Sequence, residues 1–198
     1  MHKILSLLAF VACSHPAAAG EISSAYTDLD PAKDCTTFAS AQDGEGDWAN
    51  LVCNGYRGYP VILYSGDLRE SVFYGFPPGG DLAPAWESFS AFNSVGPKIE
   101  WRIETEGARA IPFAAIHRWK VSDGDDPARQ TEVLVVEKVG QPHAREGCAV
   151  GLVLATGNPD ANSAARKIAD ETAKDFVCGE DERVVVGEPM PDFSRAEN

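Results

Sequence analysis

The sequence predicts an α+β domain: a mainly antiparallel, twisted β-sheet with one long C-terminal helix packed on a face, stapled by two disulfides. Three observations carry this. Short apolar runs alternate with turn residues along most of the chain, the mark of many strands. The segment 159–177 has a helical period instead. The cysteines fall where a strand and a returning helix would meet. The chain has 198 residues, 44% of them apolar and 24% charged, which suits one ordinary globular domain. Its formal charge of −13 argues against a nucleic-acid binder or a polybasic membrane anchor, since both need clustered cations.

Residues 1–19 read as a signal peptide. Lys3 gives a basic start, Ile4 to Ala12 form an apolar run, Pro16 breaks it, and Ala17-Ala18-Ala19 offers small residues for cleavage. The run is shorter than the roughly 20 residues a membrane span requires, and no later segment is longer. The expected location is therefore periplasmic or secreted. A competing reading takes Phe10-Val11-Ala12-Cys13 as a lipoprotein box that would anchor the chain at Cys13. Export leaves Cys35, Cys53, Cys148 and Cys178 in an oxidising compartment, where disulfides are the default and thiol chemistry is disfavoured.

After the leader, residues 20–34 are polar and expected to be loosely ordered, 35–186 form the domain, and 187–198 read as a flexible tail. Strands are expected over 48–53, 60–65, 68–75, 98–105, 111–121, 131–139 and 147–156, with a hairpin turn at Ser65-Gly66-Asp67. Ile99, Trp101 and Ile103 alternate with Glu100, Arg102 and Glu104, the period-2 pattern of a sheet with one wet face. Cys148 to Thr156 is apolar almost throughout, so it belongs mid-sheet, covered on both sides.

Asn158 is placed to cap the helix, Pro159 suits its first turn, and Asp160 complements its dipole. Ala161, Ala164, Ala165, Ile168, Ala169, Thr172 and Phe176 fall on one stripe. The strand from Cys148 rises about 26 Å to Thr156. The helix from Pro159 returns about 28 Å to Cys178. That brings Cys178 level with Cys148 and leaves Cys35 to pair with Cys53.

Candidate chemistry is sparse. No Gly-x-Ser-x-Gly elbow, Ser-x-x-Lys, His-Glu-x-x-His or phosphate loop occurs. The aspartates at 123, 125 and 126 lack the spacing and the distal Glu of a calcium loop, as does Asp43 to Asp47, so no metal or cofactor is expected. His117 lies in phase with Phe113, Ala115, Trp119 and Val121, as a general base in an aromatic pocket or as a core histidine. His143 follows Pro142 in a polar loop. Asp67, Arg69, Glu100 and Arg102 line strands whose charges would face one another, as a solvated ion-pair face or a polar recognition surface. With His117 they are the candidate binding residues. Gly55-Tyr56-Arg57-Gly58-Tyr59-Pro60 adds Tyr and Arg, both favoured at interfaces.

The ordered strings Trp48 to Cys53, Gly55-Tyr56-Arg57-Gly58-Tyr59-Pro60-Val61, Gly66-Asp67-Leu68-Arg69, Phe92-Asn93, Ile99-Glu100-Trp101-Arg102 and Ala165-Arg166 with Ala169-Asp170 resemble a family of short exported bacterial proteins of unknown function. The resemblance spans about residues 35–180. It implies a periplasmic setting and a disulfide framework, and it carries no activity. The expectation is a non-catalytic binding or interaction protein with a protein or small-molecule partner in the cell envelope. The alternatives are a small hydrolase using His117 or a carboxylate pair such as Asp67 with Glu100, and an acidic scaffold or stress-protective protein.

Overall fold

Apolar residues at alternate positions, separated by tight turns, dictate strands. The computed structural model has them along most of its length. It describes residues 20–42, 46–79, 85–124, 126 and 129–196. In chain order the elements are β1 (Glu21–Asp28), α1 (Pro31–Asp34), β2 (Cys35–Ser40), β3 (Trp48–Cys53), β4 (Val61–Gly66), β5 (Arg69–Tyr74), β6 (Trp86–Phe89), β7 (Asn93–Glu106), β8 (Arg109–Ser122), β9 (Gln130–Lys138), β10 (Ala149–Leu154), α2 (Ala161–Thr172), β11 (Val184–Val186) and β12 (Phe193–Ala196). Three sheets result, ordered β1-β7-β8-β9-β10-β11, β2-β3-β4-β5 and β12-β6.

The inner faces of the two larger sheets share one core. Ile99, Trp101, Ala115, Trp119, Val133 and Val135 meet Leu63, Val72 and Tyr74 there. A second core lies on the other face of the six-stranded sheet, where Ala161, Ala165, Ile168 and Ala169 of α2 cover Ile116, Leu134 and Val150. The approach is close: a Cβ added at Gly151 would sit 2.7 Å from Ile168 Cγ2. The layers are thus sheet, sheet and helix.

The expected fold class needs correction. Strand accounts for 53% of the described residues and helix for 11%, so the protein is mostly β, and there is no long C-terminal helix. Both ends of the predicted helix are consumed locally. Asn158 Oδ1 accepts from the Asp160 amide at 3.0 Å, an Asx turn that keeps Pro159 and Asp160 outside the helix. Past Thr172 the chain unwinds into turns. Phe176 is drawn into the core, its carbonyl accepts from Lys138 Nζ at 2.6 Å, and Cys178 is tied to Cys148.

Both predicted disulfides, Cys35–Cys53 and Cys148–Cys178, are present. Cys35 faces Cys53 directly across β2 and β3. All seven predicted strands are present, and Cys148 to Thr156 supplies the buried β10. The hairpin turn falls one step later than expected, at Asp67-Leu68, where both residues have positive φ (50° and 58°), the signature of a type I′ turn.

Two segments expected to be loose are paired strands. β1 runs antiparallel to β7, and β12 runs antiparallel to β6. The leader and Cys13, with Asp43 to Glu45 and Asp125, lie outside the described residues. Among the described residues no helix is long and apolar enough to cross a membrane.

Candidate functional site

The five candidate binding residues, Asp67, Arg69, Glu100, Arg102 and His117, fall in three separate places. Glu100 and Arg102 project from β7 away from the core between the sheets, and α2 covers them. Both are buried, at 8% exposure each. Arg102 donates to both oxygens of Asp170 in α2, at 2.8 and 2.7 Å, and to Ser24 Oγ in β1. Arg166, one helical turn away, donates to both oxygens of Glu100, at 2.6 and 3.1 Å, and Ser24 Oγ donates to Glu100 at 2.6 Å. Burial pushes the Glu100 carboxyl up, but the Arg166 and Ser24 hydrogen bonds outweigh it and hold the group below its ordinary range. At Glu100 and Arg102 the face expected to be solvated is covered. Its two cations and two anions neutralise one another and clamp α2 and β1 to the sheet.

Asp67 and Arg69 lie in the second sheet, at the β4–β5 turn. They pair with each other, and Arg69 Nε donates to the Ser90 carbonyl at 2.9 Å. Asp67 therefore never meets Glu100, and the carboxylate pair expected for a hydrolase does not form.

His117 is fully buried between the large sheets. Its Nε2 donates to the Gly96 carbonyl at 2.6 Å, which leaves Nδ1 to accept from the Tyr74 hydroxyl at 2.6 Å. Desolvation lowers its pKa to about 4, only partly offset by the Gly96 carbonyl. It is a neutral core histidine. Phe113, expected beside it, lies on the helix-facing side, because an irregularity between β7 and β8 slips the alternation there.

A stability prediction follows. Unfolded His117 takes a proton near pH 6.5, and folded His117 does so only near 4. Between those values the unfolded chain binds more protons, so stability is lost as pH falls. The loss over that window is up to about 3 kcal/mol. It is read as the wild-type minus His117→Gln difference in urea-unfolding free energy, which cancels other titrating groups. A difference that stays constant from pH 7 to pH 4 contradicts it.

The Tyr56–Gly58 turn also belongs to the scaffold. Tyr56 packs on Trp101 at 6.4 Å between centroids, and Tyr59 OH donates to Gln141 at 2.9 Å. His143 is exposed.

The concavity with unspent chemistry lies elsewhere. A cleft of about 360 Å³ is walled by Phe176, Ala149 and the Cys148–Cys178 bridge, with Glu87, Arg183 and Arg195 set into it. The β6–β12 pair builds it, placing Arg195 directly opposite Glu87. An irregularity in β10 at Ala149/Gly151 frees the Ala149 amide, which donates to Glu87 Oε2 at 2.9 Å. Arg183 donates to Glu87 Oε1 at 2.8 Å and to the Ala149 carbonyl at 3.2 Å, and its guanidinium lies 5.0 Å from the Phe193 ring centroid.

Arg195 is less well matched. Its nearest Glu87 oxygen is 3.9 Å away, and its buried Nε has no hydrogen-bond partner. Beneath lies Glu137 of β9, 2% exposed, with a buried Oε1 that also lacks a partner. Burial pushes the Glu137 carboxyl well up, and the charge of Glu87 pushes it further, against a smaller pull from Arg183 and Arg195. This push toward the protonated form leaves Arg183 and Arg195 facing Glu87, with Glu146 also acting on Arg195 from nearby.

Sequence reasoning missed all four floor residues. Glu137 falls in phase with the inward-facing Val133 and Val135, a usable signal. Arg195 falls in the supposed tail and Glu87 in a short unrecognised strand, and neither has such a signal. No known protein family, curated protein or solved structure matches the chain.

Proposed function

We propose that the protein is an exported, non-catalytic binding protein that holds a small molecule in the cleft over Glu87, Arg183 and Arg195. The observation that carries this reading is the Arg195 guanidinium, which lines an open cavity and stands 3.9 Å from Glu87, too far for a hydrogen bond. A guanidinium set in a cleft without a matched carboxylate has donors to offer an anionic group. Export is supported by the leader-like segment 1–19 and by the two disulfides, which suit an oxidising compartment. The non-catalytic reading is supported by the neutral, sequestered state of His117 and by Glu137 lying beneath the cleft rather than in its lining.

The test is a thermal-shift panel of sugars, nucleotides, polyamines, aliphatic acids and amino acids, run on wild type and on Glu182→Trp, which plugs the mouth from an exposed position. At least one class is expected to raise the wild-type Tm and to leave the plugged variant unmoved. A panel that shifts neither protein, or both equally, overturns the cleft as the binding site.

A further inference from the structure

The charges of this cleft are sorted by depth. Glu87 is buried, Arg183 and Arg195 are half-buried, and Asp181 and Glu182 at the mouth are exposed. The floor therefore favours an anionic group, and the mouth favours a cationic one. Glu87 is turned to Arg183 and the Ala149 amide, and its nearest oxygen stands 3.9 Å from Arg195, too far for a hydrogen bond. A planar acceptor matches a guanidinium fork through two parallel hydrogen bonds, as a carboxylate does. Asp181 spends Oδ2 on the Val177 amide at 2.8 Å, which fixes its side chain at the rim. Phe176, Ala149 and Cys148 give the body of a ligand an apolar wall. The volume, about 360 Å³, lies at the small end of ligand pockets.

Resting on the binding function above, we propose that the ligand is a small zwitterion of the amino-acid type, its carboxylate received by Arg195 and its ammonium group turned toward Asp181 and Glu182. A simple anion leaves the acidic rim unanswered and is repelled by it. A simple cation meets two guanidinium groups at the floor. A molecule bearing both groups, with an aliphatic or aromatic side chain between them, answers floor, rim and wall together.

Calorimetry with the full mature chain tests this. The twenty free amino acids are titrated, and the tightest is compared with its C-terminal amide and its N-acetyl derivative. The amide is expected to bind roughly ten- to a hundredfold more weakly, the loss of one charge-assisted contact. Arg195→Gln is expected to lose the same factor on the free amino acid and nothing more on the amide. Glu182→Gln is expected to weaken the amino acid while leaving the N-acetyl derivative unchanged.

Equal affinity for acid and amide overturns the carboxylate at Arg195. Equal affinity for the free and acetylated amine overturns the zwitterion. If Arg195→Gln loses its cooperative thermal transition, the two derivatives and the exposed Glu182→Gln decide the matter alone. If every amino acid is silent while another class in the panel binds wild type and is blocked by Glu182→Trp, the ligand class is wrong and the binding function stands. Silence across the whole panel overturns both.

Discussion

Replacing Asp170 with alanine is expected to cost about 3–5 kcal/mol of folding stability, a large share of what a domain of this size possesses. Asp170 gives both oxygens to Arg102, which is 8% exposed and lies under α2. Removing the carboxylate leaves a largely buried guanidinium with only Ser24 Oγ as a hydrogen-bond partner. Glu100 is 3.9 Å from Arg102 but is already engaged by both donors of Arg166, so it compensates little.

The four charges form two neutral pairs, Arg102–Asp170 and Arg166–Glu100. Deleting one whole pair should therefore be far milder than deleting one member. Arg102→Met with Asp170→Leu is expected to fall within about 1 kcal/mol of wild type, since well-packed apolar replacements of buried ion pairs are often neutral or stabilising. Urea unfolding of the two singles and the double gives the coupling energy directly. If Asp170→Ala changes stability by no more than an exposed pair would, below about 1 kcal/mol, α2 does not bury this quartet, and the face returns to being a surface.

The same quartet shows where sequence reasoning stopped. The alternation in Ile99 to Glu104 was legible because period 2 assigns residues to faces. It cannot say what covers the polar face, and the helix that does so was visible only as a separate pattern. The disulfide pairing is right although its geometric premise is not: α2 spans only Ala161–Thr172, and turns rather than helix carry the chain the last six residues to Cys178.

The strands that went unread share a cause. β1 is mostly polar, and it is held by side-chain bonds to residues far along the chain. Ser24 reaches Glu100, and Thr27 accepts from Trp101 Nε1 at 2.8 Å. β12 is anchored by Phe193 against Phe89, with centroids 4.8 Å apart. Neither leaves a periodic trace in its own segment. The candidate site failed for a related reason. Charges readable on regular strands proved to be mutually satisfied, while those with capacity to spare lie on short strands and at a chain end, outside any apolar pattern.

Glu137→Gln is expected to stabilise the protein at neutral pH, by an amount that grows with pH. The wild-type carboxyl is buried, faces Glu87, and is held protonated well above the ordinary range. In the unfolded chain it ionises near pH 4.5. Above that value the folded state binds one more proton than the unfolded state, so stability falls as pH rises, by about 1.4 kcal/mol per pH unit, until the folded group itself titrates. Glutamine keeps the shape and carries no proton to lose. The two proteins should be nearly equal at pH 4.5, and the glutamine variant should gain on wild type as pH rises above it.

His117 acts in the opposite sense, costing stability as pH falls from about 6.5 to about 4. As pH rises from 4.5 the two effects oppose each other, so wild-type stability should change less than either group alone would make it. Unfolding free energies of wild type and Glu137→Gln at pH 4.5, 6 and 7.5 decide the matter. A constant difference across that range means that Glu137 ionises normally in the folded state. The floor of the cleft would then hold two carboxylates against two guanidinium groups, with no charge left over for a ligand.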